Sequence, residues 1–338
     1  MACVSSWRPI VCHAVADCLT QHADPLGALG RGEIPALVLR GWLKSEARQG
    51  ILERLKTRSA TWSVVGNAFA NFGAALSSHL GKRWPPERYA ATAARYAQLF
   101  RELDLLAPVS AVHGALAALA RHRQVGVGMD LSTNGSFSPG GIFRQNFNNN
   151  SFQMHLDSLH SHELAQRSRC SERRTRLLGR STSAAPYADL FRFEQQLSVC
   201  CLLPSSCPKF PVHHAVLSHR HRVTPCRRCL WRQALLLLQR SEVSTPELTL
   251  YDFELQQLHA ACELQLHEVT THNAVLDNRS RHKIRRSHRS CALEVEEGDV
   301  YVFNANRLHE VHRIGGATRR ITLGTFAGLS DDEVRIWS

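Results

Sequence analysis

Gly298-Asp299-Val300-Tyr301-Val302-Phe303-Asn304-Ala305-Asn306-Arg307-Leu308-His309-Glu310-Val311, followed by Arg319-Arg320-Ile321-Thr322-Leu323, decides the fold of this 338-residue chain. Gly298-Asp299 is a turn signal. Val300 to Phe303 reads as a short buried strand, rich in β-branched and aromatic residues. A loop is then expected to deliver His309. After Gly315-Gly316 the run from Arg319 to Phe326 alternates as a second strand. The two strands place an imidazole and a guanidinium near each other. The first can bind a metal, and the second can hold a carboxylate through two parallel hydrogen bonds.

A metal site needs more ligands, and Phe152-Gln153-Met154-His155-Leu156-Asp157-Ser158 supplies the pattern His-x-Asp. On a strand, residues i and i+2 share a face, so His155 and Asp157 can hold one ion from one side. With His309 they make two imidazoles and one carboxylate, the facial set that leaves positions open on Fe(II). His-x-Asp is common by chance, and the chain has 19 histidines. Its weight comes from its setting: Phe152 and Met154 before it, Ser158 after it, and the matched motif downstream. His267, in Leu266-His267-Glu268-Val269, repeats the local pattern but lacks the strand before it, and reads as helix surface. His213-His214-Ala215 sits in an irregular stretch and carries little weight.

With these residues in view, the C-terminal third resembles the 2-oxoglutarate/Fe(II)-dependent oxygenases of the prolyl-hydroxylase type, including relatives that hydroxylate or halogenate natural products. The resemblance rests on His155-x-Asp157, on the Gly-Asp-x-x-x-Phe-Asn…His-Glu-Val run, and on Arg320-Ile321-Thr322. It implies a double-stranded β-helix, or jelly-roll: a mainly β core of two facing sheets with flanking helices, α+β overall. It implies Fe(II) held by His155, Asp157 and His309, and 2-oxoglutarate as co-substrate, with succinate and CO2 as co-products. In that family an arginine two residues before a hydroxyl side chain binds the far carboxylate of 2-oxoglutarate. Arg320 with Thr322 fits, and Arg319 is the alternative on spacing from the distal histidine. The halogenases of this fold replace the aspartate with Gly or Ala to admit chloride. This chain keeps Asp157, so the resemblance favours hydroxylation, with O2 and a small-molecule or peptidyl substrate as partners.

Composition bounds the rest. A hydrophobic content of 43% is enough for a core. No apolar run is long enough to span a membrane. Met1 to Gly30 lacks a basic–apolar–small leader pattern, so a cytoplasmic location is expected. Eleven cysteines without an even framework suit a reducing compartment. The net charge of +12 raises the question of nucleic acid. The excess lies in Arg167 to Arg180, Arg220 to Arg232 and Arg279 to Arg289, without aromatic residues spaced for base stacking. Solvated or disordered loops are the plain reading of these blocks, and no nucleic-acid partner is expected.

Taken in order, residues 1–32 read as a loosely ordered leader and 33–130 as a helical support region. Residues 131–330 read as the jelly-roll, with irregular insertions near 160–185, 204–240 and 270–290. Ile34 to Leu43 reads as a strand entering a turn, and Ser45 as the cap of a helix from Glu46 to Lys56. Pro85-Pro86 starts a helix to about Leu106, with Tyr89, Ala93, Tyr96, Leu99 and Phe100 as its apolar stripe. A second helix is expected over Ser110 to His122. Short strands are expected at Val125 to Met129, Phe143 to Phe147, Ser151 to Asp157, Leu190 to Leu203 and Glu247 to Asp252. Gln195 and Gln196 are possible site-lining residues.

Three other readings compete. If Pro204 to Arg240 breaks a core strand, the chain is a catalytically inactive or misassembled relative. That stretch, with Asn278 to Ser290, also reads as an insertion or an artefact of a mistaken gene model. Cys226-Arg227-Arg228-Cys229, near Cys207, His219 and His221, has zinc-ligand spacing but no matched second pair. A basic, nucleic-acid-associated oxygenase is a weaker reading than the inactive relative, and steep salt dependence of binding would be its mark. No Gly-x-x-x-x-Gly-Lys loop and no Gly-x-Ser-x-Gly elbow occurs.

Overall fold

The computed structural model describes residues 6–57, 61–65, 69–74, 86–121, 123–127, 141–147, 151–157, 230–240, 248–254, 257, 264, 266–269, 273–312, 319–329 and 333–337. Among them two sheets carry the architecture. The larger holds β1 (Ile10–Cys12), β2 (Ala36–Leu39), β3 (Ser63–Val65), β4 (Phe69–Phe72), β5 (Gln124–Val127), β6 (Ile142–Asn146), β8 (Leu230–Gln239), β13 (Val300–Asn304), β15 (Arg320–Leu329) and β16 (Glu333–Trp337). Its main path runs β1-β2-β13-β8-β15-β6-β4-β3, with β16 joining β15 to β5. The smaller runs β10-β11-β7-β14-β9-β12, from β7 (Phe152–Asp157), β9 (Leu248–Glu254), β10 (Leu266–Val269), β11 (Asn273–Leu276), β12 (Ser290–Leu293) and β14 (Arg307–Val311). Most pairings are antiparallel; β1 with β2 and β5 with β16 are parallel.

The period-2 pattern sorts side chains between two cores. On the larger sheet, Leu37, Leu39, Phe143, Val300, Val302, Ile321 and Leu323 face the helices. Those helices are α1 (Val15–Gln21), α2 (Pro25–Arg31), α3 (Ser45–Lys56), α4 (Pro86–Glu102) and α5 (Leu106–Ala120). Ala93, Tyr96 and Phe100 of α4 bury their stripe there, with Phe72 and Phe100 stacked at 5.6 Å. On the other face, Tyr301 and Phe303 join Leu237, Leu248 and Leu250 in a second core between the sheets. The alternation in β13 and β15 thus turns Tyr301, Phe303, Arg320 and Thr322 toward the smaller sheet.

Several expectations need correction. Residues 6–32 are not a loose leader: Trp7, Cys18, Leu26 and Leu29 are fully buried, and the Trp7 indole donates to Gly32 O at 3.1 Å. Cys12 and Cys18 are joined by a disulfide, where composition suggested free thiols. Ser45 is the first residue of α3, not its cap; Lys44 holds the cap position without a side-chain bond. The second support helix begins at Leu106, since Pro108 falls in its first turn, where proline is tolerated. His267 lies on a strand, β10, rather than a helix. Leu230–Gln239, the end of the supposed insertion 204–240, is a central strand between β13 and β15. Residues 278–287 are neither loop nor insertion debris but a helix, α6 (Asn278–Ser287), capped by Asp277, which accepts from Ser280 N at 2.8 Å. Its amphipathic side buries Ser280 and Ile284. The loop 134–141 (apart from Gly141), the strand Leu190 to Leu203 with Gln195 and Gln196, His213, His214 and the cysteines 207, 226 and 229 lie outside the described residues.

Among the described residues no single helix is long and apolar enough to cross a membrane. The pair Ala91–Glu102 and Leu106–Ala120 passes together on length and composition, but it turns through 104°. Its apolar residues belong to the helix-side core.

Candidate metal and co-substrate site

β7 and β14 are neighbours in the smaller sheet, and their register sets His309 directly opposite His155. His309 is therefore delivered by a strand, not a loop; a tight turn at Ala305-Asn306 separates β13 from β14. That turn is tied back to the site, because Asp157 N donates to Ala305 O at 2.9 Å. The imidazole centroids are 4.2 Å apart. Asp157, two residues beyond His155, places Oδ1 3.7 Å from His155 Nε2 and Oδ2 3.5 Å from His309 Nε2. One donor atom from each of the three residues lies within 4.8 Å of the other two.

Both rings are oriented by the same device. His155 Nδ1 lies 2.6 Å from Gln153 O, and His309 Nδ1 lies 2.9 Å from Arg307 O. A carbonyl only accepts, so each Nδ1 carries the proton and each Nε2 turns its lone pair toward Asp157. This is the tautomer a metal ligand needs, with the second nitrogen fixed by a backbone partner. Bonds of about 2.1 Å at right angles place donors roughly 3 Å apart. The observed spacing is slightly wider, within reach of small ring and carboxylate rotations. The donor set thus fits a divalent transition ion such as Fe(II).

Burial, with the neighbouring His309, pushes the His155 pKa down to about 4, against the pull of Asp157. The unfolded imidazole titrates near 6.5, so between the two values the unfolded chain binds a proton that the folded site refuses. Stability of the metal-free protein is therefore full above pH 6.5 and drains as pH falls toward 4, by on the order of 3 kcal/mol. Urea denaturation across that range should show the fall, and His155→Asn should flatten it.

Arg320 is 3% exposed and donates from Nη2 to the Tyr301 hydroxyl at 2.9 Å. Thr322, also buried, follows on the same face of β15. Arg319 points elsewhere: it is exposed, with its guanidinium 5.4 Å from the Phe147 ring centroid. The sequence reading missed Tyr301 as a polar partner, treating it as one more buried aromatic. It also missed Arg144 and Asn146, which alternate with Phe143 on β6 and so face inward. Their signal was the same period-2 pattern, present but short.

A brace lies behind the His155, Asp157 and His309 cluster. On the outer face of the smaller sheet the Tyr251 hydroxyl donates to Glu310 Oε1 at 2.5 Å, and Arg285 of α6 donates to Glu310 Oε2 at 2.7 Å. Burial and the adjacent Glu310 carboxylate hold the Tyr251 pKa well above its usual value. Arg307, two residues before His309, is held by Asp252 and Glu254.

Residues 235–338 match the family described as "Carrier-protein-independent halogenase WelO5". Over this stretch the chain is similar to the 2-oxoglutarate/Fe(II)-dependent oxygenase superfamily, to which that family belongs. Fe(II) and 2-oxoglutarate are the cofactor and co-substrate of that superfamily. No curated protein matches the sequence. Solved structures that resemble the chain include an N-substituted L-amino acid dioxygenase from Burkholderia ambifaria, 13% identical, covering 93% of this chain and 90% of that one, with a TM-score of 0.47. HygX from Streptomyces hygroscopicus, with nickel, 2-oxoglutarate and hygromycin B bound, is 13% identical over 86% of this chain and 82% of its own, at a TM-score of 0.37. The α-ketoglutarate-dependent epimerase SnoN from nogalamycin biosynthesis is 9% identical over 88% and 78%, at 0.38.

Proposed function

We propose that the chain is a 2-oxoglutarate- and Fe(II)-dependent dioxygenase that hydroxylates a small molecule or a peptidyl group, built on a jelly-roll core. The observation that carries this reading is the convergence of two imidazole Nε2 atoms and one carboxylate from adjacent strands, opposite a buried arginine on the facing sheet. Fe(II) with 2-oxoglutarate supplies the O2-dependent oxidation, with succinate and CO2 as co-products. His155, Asp157 and His309 would hold the ion. Arg320 grips the far carboxylate of 2-oxoglutarate, and the Thr322 hydroxyl adds a hydrogen bond beside it. Tyr301 fixes the guanidinium in place. Phe303, whose ring lies 5.1 Å from that of His309, keeps water from one flank of the site.

Halogenation is the second reading, because the matched family is described as a halogenase. The resemblance of Asp157 to the retained carboxylate of hydroxylases weighs against it: the halogenases of this fold leave that position to chloride. Against the inactive-relative reading stands β8, which pairs with β13 and β15 in the larger sheet; residues 204–229 lie outside the described residues.

Anaerobic titration of the protein with Fe(II) and 2-oxoglutarate tests the proposal. A weak visible metal-to-ligand absorption band is expected, and a folded protein without one sinks the reading. In the same titration Tyr301→Phe should weaken 2-oxoglutarate binding about tenfold, the worth of one hydrogen bond to a charged group, about 1.5 kcal/mol. An unchanged midpoint would remove Tyr301 from the role of positioning Arg320.

A further inference from the structure

We infer that Arg144 and Asn146 anchor a carboxylate of the substrate, so that the site accepts an anionic molecule whose charged end adjoins an apolar body. The inference rests on the oxygenase reading above and adds a substrate class to it. β6 pairs with β15 so that Arg144 stands opposite Thr322 and Asn146 opposite Arg320. Four polar residues thus form one patch on the inner face of the larger sheet. Arg320 and Thr322 are assigned above to 2-oxoglutarate; Arg144 is a second cation.

Arg144 is held ready for an anion. Its Nε donates to Asn71 Oδ1 at 3.2 Å, which leaves the Nη edge to face a ligand. Its guanidinium lies 4.6 Å from the Phe69 ring centroid and 5.9 Å from that of Phe152. Among the described residues no carboxylate pairs with it; Asp157, the acidic group it senses, is assigned to the metal. Asn146 is 1% exposed, yet neither its Oδ1 nor its Nδ2 has a hydrogen-bond partner. Buried amides without partners are rare, and this one shares a face with Arg144. A carboxylate would accept from both the Nη edge and the amide.

Charge points the same way. A divalent ion, the Asp157 carboxylate, two guanidiniums and the 2-oxoglutarate dianion together leave one positive charge in the site. A monoanionic substrate neutralises it. The apolar part of that substrate has a surface to lie on. Phe69 and Phe152 are 5.3 Å apart, and Phe152 is 6.1 Å from the His155 ring, which leads from the anchor to the metal ligands.

The test is calorimetric titration under nitrogen of the Fe(II)- and 2-oxoglutarate-loaded protein with octanoate, and separately with octanamide. Octanoate is expected to bind at least tenfold more tightly. Arg144→Met should abolish that preference while the 2-oxoglutarate absorption band persists, and Asn146→Leu should reduce it several-fold. Arg144→Lys, which keeps the charge and loses the fork, should fall between, and it stands in if the methionine variant does not fold. Equal binding of acid and amide by the wild type overturns the inference alone. Loss of the absorption band in Arg144→Met also overturns it, by giving Arg144 to 2-oxoglutarate. Absence of the band in the wild type overturns the oxygenase reading itself.

Discussion

Asp157→Ala is expected to abolish Fe(II) binding and turnover. Loss of a residue that merely orients a metal ligand costs about 10–100-fold in affinity, and removal of a ligand itself costs more. The effect is enlarged by charge. Asp157 is the anionic member of a donor set whose other members are neutral imidazoles, and Arg144 and Arg320 face it from the other sheet. Without it a divalent ion would meet two guanidiniums with no fixed anion between them. His155→Ala should behave alike. Equilibrium dialysis against Fe(II), read with circular dichroism to show an intact fold, checks the outcome. Stoichiometric iron in a folded Asp157→Ala protein would remove the residue from the ligand set.

The second large effect is on stability. The Asp299 carboxylate is fully buried, and it accepts from Arg40 Nη1 at 2.7 Å, Gly41 N at 2.8 Å and Glu296 N at 2.7 Å. It joins the exit of β2 to the entry of β13, the strand that carries Tyr301 and Phe303. Asp299→Ala removes the shared acceptor of a guanidinium and two backbone N–H groups, while Arg40 keeps Glu296 and the Glu294 carbonyl, at a cost of about 2–3 kcal/mol. Urea denaturation should show it, and Asp299→Asn should recover part of the loss. The residue before it is equally constrained. Gly298 has φ +92°, and a Cβ there would collide with Leu43 O. A loss below 1 kcal/mol for Asp299→Ala would mean that water replaces these bonds.

How much of this was legible beforehand depends on the range of the forces involved. The strands at Val300 to Phe303 and from Arg320 onward, and the inward aim of Arg320, followed from alternation, which is local. So did the two strands approaching Asp157. The pairing of β7 with β14 was not legible, because no local pattern states which strands become neighbours; it turns three scattered residues into one cluster. Leu230–Gln239 misled because its middle, Ala234 to Leu238, is an unbroken apolar run, as in a strand covered on both faces. It therefore shows no alternation. α6 misled for the opposite reason: its ten residues include only one buried hydrophobic side chain, Ile284, and its hold on the sheet comes from Arg285 meeting Glu310. Order in residues 6–32 comes from long-range bonds such as that of Trp7 to Gly32, which composition does not announce.

Each of the two facing imidazoles, His155 and His309, is steadied by the main-chain carbonyl two positions back on its own strand. Neither grip uses a side chain of another residue. The aim of both rings is thus indifferent to which amino acids occupy positions 153 and 307, so long as the strands keep their register. A lineage carrying this arrangement is free to rewrite the residues around the pocket in search of new substrates while the chemistry at its centre stays aligned. Evolvability here is a property of the backbone.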